Sequence, residues 1–155
     1  MEERKNDIIK DAYYLVHLYN EAKLPVTQLH IQKLMFLFEA YYINMTDQPY
    51  LYDCKYHAWN FGPVATKLYK RFKEYGSNQI VLTKEELEEI KDIDDMKKKL
   101  MRELFDAFKS FSAADLVKFT HAEGSPWKKA WDFKEYSEIS KEDMKLWFSK
   151  YVVKS

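Results

Sequence analysis

Three separated stretches of the chain repeat one pattern: "LTKEEL" (Leu82 to Leu87), "FSAADL" (Phe111 to Leu116) and "ISKEDM" (Ile139 to Met144). Each reads apolar, Ser or Thr, two residues, acid, apolar. This is a capping box inside a hydrophobic staple, an arrangement that belongs at a helix N-terminus. Thr83, Ser112 and Ser140 can accept hydrogen bonds from first-turn N–H groups that lack an intrahelical partner. Glu86, Asp115 and Asp143 can answer back to the cap and suit the positive helix end. Asp is shorter than Glu and is the weaker reciprocal partner. "VTQLHI" (Val26 to Ile31) keeps the staple and the Thr27 cap but carries His30 in the acid position. Two further starts are expected at prolines, Pro63 and Pro126, with Ser125 capping the second. Gly76 and Gly124 are expected to mark stops.

With only 3 Gly and 4 Pro in 155 residues, breakers are scarce, and the composition favours a mainly helical chain. Apolar spacing predicts helices over about 5–22, 28–45, 64–75, 84–92, 94–111, 113–123, 126–133 and 141–151. The first presents Ile8, Ile9, Ala12, Leu15, Val16 and Tyr19 on one face. The fifth presents Met96, Leu100, Leu104 and Phe108. The second is apolar all round at "LMFLF" and is the expected central, buried helix. "DCKYHAW" and "NQIVL" read as extended. They are expected to pair, near Cys54–Trp59 and Asn78–Leu82, as a ribbon supported by helices. The expected fold class is therefore mainly α: a multi-helix bundle with a short two-stranded antiparallel β-ribbon. No repeat, linker or low-complexity tract divides the chain, so residues 1–155 are read as one domain.

The remaining chemistry is sparse. Acidic and basic residues balance at 25 each, which removes the global basic excess of a dedicated duplex binder. Charges interrupt every apolar run and the start is charged, so neither a membrane span nor a signal peptide is expected, and the expected location is cytoplasmic. Lys67, Lys70, Arg71 and Lys73 interleave with Leu68, Tyr69 and Phe72, a pattern that could suit nucleic acid. Helical spacing instead favours a core face of Ala65, Leu68, Tyr69 and Phe72 with solvated charges. "HAEGSPW" holds His121 and Glu123, a His-x-Glu pair of the zinc-deaminase kind. That chemistry needs further cysteine ligands, and Cys54 is the chain's single cysteine. His121 is instead expected to stabilise a helix end, and Ser125 to be committed to capping. His17, His30 and His57 show no ligand spacing, and there is no phosphate loop or dinucleotide fingerprint. No metal, no cofactor and no enzyme are expected. Aromatic residues at 17% near two Gly/Pro breaks suit a protein that works by binding another protein.

"IQKLMFLFEAYYINMTDQPYLYDCKYHAWNFGPVATKLYKRFKEYG" (Ile31 to Gly76), followed by "FTHAEGSPWKKAW" (Phe119 to Trp131), resembles the Panacea domain, also called SocA-like. In that family a "QKLLYF" helix precedes an "AW-x-x-GPV" step and a later "THxEGPWxxA". The resemblance covers about residues 8–151. This chain departs by inserting Ser125 and by carrying Asn60 and Phe61 where a basic residue and Tyr are commoner. The signature positions are Trp59, Gly62, Pro63, Tyr69, Thr120, His121, Glu123, Gly124, Pro126 and Trp127. The resemblance implies an antitoxin, or a phage or prophage relative, that neutralises a toxin encoded beside it by direct binding. It also implies a cytoplasmic protease as a second partner, since one member is an adaptor to such a protease, and it implies no catalysis or cofactor. The expected contact face is Tyr56, Phe61, Lys67, Lys70 and Arg71, types common at binding hot spots or set beside the Gly-Pro step.

Overall fold

The computed structural model describes residues 6–152. Its elements run α1 (Ile8–Glu21), α2 (Gln28–Thr46), β1 (Tyr56–Trp59), β2 (Gly62–Ala65), α3 (Thr66–Phe72), α4 (Lys84–Glu89), α5 (Asp95–Phe108), α6 (Ala113–His121), α7 (Pro126–Phe133), β3 (Glu138–Ile139) and α8 (Lys141–Trp147). Short 3₁₀ turns extend α3 (Lys73–Tyr75) and α4 (Ile90–Asp92), and a π-helical turn (Phe148–Val152) extends α8. The architecture is mainly helical with a minor antiparallel sheet. Lys5, the expected start of the first helix, lies outside the described residues.

The caps form where the local pattern put them. Thr83 and Glu86 close a reciprocal box, with bonds of 3.2 and 2.9 Å, and so do Ser112 and Asp115, at 3.0 and 2.9 Å. Ser140 accepts from the Asp143 N–H, but the Asp143 carboxylate turns to Lys129 instead of answering the cap. In the fourth case His30 takes the acid's place: the Thr27 N–H donates to His30 Nδ1 at 3.1 Å. Burial lowers the His30 pKa, which keeps Nδ1 free to accept. Glu86 also pairs with Arg71, so one capping residue ties α4 to α3.

Helix α2 is the axis of the core, packed against α1, α5, α6, α8 and β2. Leu34, Met35, Phe36, Leu37 and Phe38 are all fully buried. Met96 departs from the expected core face of α5: it is half exposed, and Met101 and Phe105 are buried beside Leu100, Leu104 and Phe108 instead.

The sheet corrects the expected ribbon. It has three antiparallel strands in the order β2-β1-β3, with Tyr56 opposite Ala65, Trp59 opposite Gly62, and Tyr56 also opposite Ile139. β1 thus has a partner along each edge, which leaves no ladder for the segment 78–82. That segment is held one group at a time: Ile80 N–H donates to the Val26 carbonyl, and the Asn20 side chain clips the Ile80 carbonyl and the Leu82 N–H. Pro63 is a second correction. It lies in β2, an edge strand where a missing donor is tolerated, and α3 begins only at Thr66.

Candidate functional site

The sequence's two signature stretches meet where the β1–β2 hairpin crosses α2 and α6. Gly62 sits at the hairpin with φ +116°, a conformation that opposes side chains. A Cβ there would stand 2.6 Å from Lys33 Cε and 3.1 Å from Thr120 Oγ1. Gly62 is therefore needed twice, for its own backbone and for the lysine that passes beneath it. Lys33 comes off α2, is fully buried, and donates from Nζ to the Pro63 carbonyl at 3.2 Å. Burial pulls its amine down to about 7. On the same helix, Gln28 and Gln32, the latter adjacent to Lys33, are both half used. Gln32 Oε1 accepts from the Ala65 N–H and Gln28 Nε2 donates to the Gly76 carbonyl, while Gln32 Nε2 and Gln28 Oε1 have no partner.

A ring stack braces this region from the other side. Trp59 packs on Tyr69 with centroids 5.1 Å apart. Trp127 donates from Nε1 to the Trp59 carbonyl at 2.7 Å, and His121 stacks on Trp127 at 3.7 Å. Trp131 stacks on Trp127 in turn. Ser125, fully buried, caps α7 through the Lys128 N–H, and Pro126 opens that helix. Above the braced hairpin opens a cleft of about 590 Å³, lined by Gln28, Gln32, Lys33, Trp59, Phe61 and Tyr69 among others. Among the described residues that line it, Lys33 is the one Lys, Arg, His, Asp or Glu.

The residues singled out in the sequence fall into three groups. Phe61 is 66% exposed at the hairpin tip, and Lys67 and Lys70 face solvent on α3. Tyr56 is fully buried and donates from its hydroxyl to the Met35 carbonyl; a partner cannot reach it, because β1 alternates and this face is the core face. Arg71 is not a free surface charge either: it donates to the Tyr13 hydroxyl at 2.5 Å and pairs with Glu86. Tyr69, expected in the core, is 38% exposed and rims the cleft. Thr120 is buried, donating its hydroxyl to the Leu116 carbonyl at 2.9 Å.

His121 is not a stabilising cation at a helix end. Burial, then the Lys33 and Lys128 charges, lower its pKa, and the ring serves as a flat surface for Trp127. Glu123 points to solvent, and Gly124 takes φ +84° on the way to α7. Among the described residues no group of three His, Cys, Asp or Glu is placed to hold a metal ion. Cys54 is half buried, and burial pushes its thiol up to about 11, away from thiolate chemistry. Sequence reasoning passed over Lys33 and Gln32 as a site. The signal was there: two adjacent polar residues directly precede the all-apolar run Leu34–Phe38 at the centre of α2.

A family model described as antitoxin SocA-like, Panacea domain, matches residues 31–128. That range holds Gln32 and Lys33, the hairpin with Gly62 and Pro63, and the Thr120–Trp127 stretch that braces it. Searches of curated proteins and of solved structures return no match. The match spans well over half of the sequence and takes in the β1–β2 hairpin and the Trp127 that braces it, and the chain belongs to the antitoxin SocA-like, Panacea domain family.

Proposed function

We propose that the chain is an antitoxin that neutralises a toxin encoded beside it by binding that toxin directly, without catalysis, in the cytoplasm. Membership of an antitoxin family carries this reading. The surface supports it: the tip of the hairpin offers Phe61 to solvent beside Tyr69, with Lys67 and Lys70 on the adjoining helix. Aromatic residues are enriched at protein–protein interfaces, and Tyr at their hot spots. Tyr56 drops out of the contact face, and Arg71 enters it only through the part of its guanidinium not held by Glu86. No helix of the described residues is long and apolar enough to cross a membrane. The test is co-expression with the product of the neighbouring reading frame. Growth arrest by that product alone, rescue by this chain and co-purification of the two support the reading; rescue without a complex defeats direct binding. Delivery of the toxin to a cytoplasmic protease is a separate step, read as faster loss of the toxin when this chain is present.

A duplex- or RNA-binding role draws less support. The basic run of α3 loses Arg71 to Glu86 and Tyr13, which leaves isolated lysines on a chain of zero net charge.

A further inference from the structure

We infer that the cleft receives a large apolar side chain carried on an acidic segment of the toxin. This rests on the antitoxin reading and adds the chemistry the partner has to bring.

The inside of the cleft sets the anchor. Leu29, Trp59, Phe61, Val64, Tyr69 and Ala113 supply its apolar lining. The polar groups at its floor are out of reach: Lys33, Gln32 Nε2 and Gln28 Oε1 are covered by protein. An occupant therefore gains by burying apolar surface and by ring contacts, and a charged group placed inside would be desolvated with nothing to answer it. At about 590 Å³ the space admits a whole aromatic side chain.

The mouth favours a protein over a small molecule. Phe61, Tyr69 and Tyr136 line the cleft and are all exposed. Tyr136 is fastened to the hairpin, its N–H donating to the Ala58 carbonyl and its hydroxyl to Asn60 Oδ1. The apolar surface thus continues past the cleft onto an aromatic rim, which a small molecule seated inside leaves wet and a protein surface covers.

The charge beside the mouth sets the flanks of the anchor. The Lys73 N–H donates to the Tyr69 carbonyl, which puts Lys73 one turn along the same side of α3 as Tyr69. Its own carbonyl accepts the N–H of Gly76, another lining residue. Lys70 and Lys73 are exposed, and neither forms an ion pair among the described residues. Lysines elsewhere on the surface are paired: Lys91 with Glu88, Lys109 with Asp106, Lys128 with Asp132 and Lys129 with Asp143. From Thr66 to Ser77 the chain carries Lys67, Lys70, Arg71 and Lys73 against Glu74 alone, and no Asp or Glu lines the cleft. Even with Arg71 held by Glu86, the rim stays positive and favours acidic residues beside the anchor.

The experiment is titration of the full chain with the cell-free-synthesised product of the neighbouring reading frame, at low and high salt. Ala113→Trp fills the cleft from its wall, while Ala114→Trp puts the same ring on an exposed neighbour that does not line it. Ala113→Trp is expected to weaken binding about tenfold or more and Ala114→Trp to leave it within about twofold, with the melting temperature of the free chain unchanged in both. Ser77→Trp, at an exposed lining residue, is expected to act like Ala113→Trp and serves if that variant does not fold. Lys73→Glu is expected to weaken binding and to reduce its salt dependence. Binding that neither Ala113→Trp nor Ser77→Trp weakens overturns the inference and leaves the antitoxin reading standing. No binding by the wild-type chain defeats that reading and the inference with it. Loss on Ala113→Trp with no response to Lys73→Glu or to salt overturns the acidic segment. Self-association that Ala113→Trp abolishes assigns the cleft to a second copy of the chain and overturns the inference too.

Discussion

Helix α2 carries two fully buried charges, Lys33 and Glu39, and the protein treats them in opposite ways. Glu39 is answered. Its Oε2 accepts the Leu51 and Tyr52 N–H groups at 2.8 and 3.1 Å and the Lys141 ammonium at 2.5 Å. Lys141 in turn donates to the Tyr52 carbonyl and lies over the Tyr56 ring. One carboxylate so fixes the loop after α2, the start of α8 and the sheet to the central helix. Lys33, less than two turns away, has a single neutral carbonyl. A charge that is desolvated and repaid holds a fold together; one that is desolvated and not repaid is a cost that folding alone does not explain.

The sharpest test of this contrast removes each charge. Glu39→Ala leaves two loop N–H groups buried without an acceptor and takes the carboxylate from Lys141, which keeps only the Tyr52 carbonyl. It is expected to cost about 3–5 kcal/mol in urea unfolding, enough to unfold many small domains. Lys33→Met removes a charge that nothing answers and keeps the volume; it is expected to leave stability unchanged or raised at neutral pH. Equal destabilisation by both would erase the distinction between frame and site.

Gly62 is the second test, because it exists for the lysine as much as for the turn. Gly62→Ala must hold a positive φ and push Cβ toward Lys33 Cε, at an expected cost of about 2–4 kcal/mol. In a Lys33→Ala background the clash disappears and the backbone part remains, so the penalty should shrink but not vanish. A penalty of the same size in both backgrounds would mean that the lysine does not determine the glycine.

What the sequence disclosed follows the range of the forces involved. Cap residues act within one turn, so the starts of α4, α6, α7 and α8 were legible from neighbours alone. The central helix was legible because "LMFLF" has no polar face. Strand pairing was not, since it depends on partners far along the chain: 78–82 looks like a strand but spends its hydrogen bonds on Asn20 and Val26, and β1 takes β2 and β3 instead. Pro63 read locally as a helix start; only the approach of Lys33 and the pairing with β1 make it a strand residue. Lys33 itself was hidden by its neighbours' uniformity. A lysine beside an apolar run is ordinarily at the surface, and its burial is a property of the packing of α6 and the hairpin over α2.

An effect spread over pH separates the same two charges without mutation of the frame. The Lys33 amine titrates at about 7 in the folded chain, below its ordinary value of 10.5. Between those values the unfolded chain binds more protons than the folded one, so this group makes stability rise with pH from about 7 to about 10. The slope is at most about 1.4 kcal/mol per pH unit. Below 7 both states are protonated and the full cost of burying the cation is present. Unfolding midpoints measured across that window should climb for the wild-type chain more than for Lys33→Met. Parallel curves for the two would show that folding does not lower the pKa of the amine.

The smallest expected effect on stability is at the rim, where the contrast passes from energy to recognition. Phe61 and Lys70 are exposed and contribute little to the core, so Phe61→Ala and Lys70→Glu are expected to change stability by no more than about 0.5 kcal/mol. Neither touches Lys33 or Glu39. If the hairpin tip and α3 form the face that meets the toxin, the two substitutions together should weaken the complex while thermal unfolding of the free chain stays put. Residues that the fold requires, such as Gly62, Trp127 and Glu39, cannot be changed without loss of structure, so recognition of a particular partner falls to residues that the fold does not require. Phe61 and Asn60 occupy the tip of the hairpin that those fixed residues hold in place. Unchanged toxin affinity in the double variant, with unchanged stability, would move the recognition face away from the hairpin and leave the cleft and the toxin as separate matters.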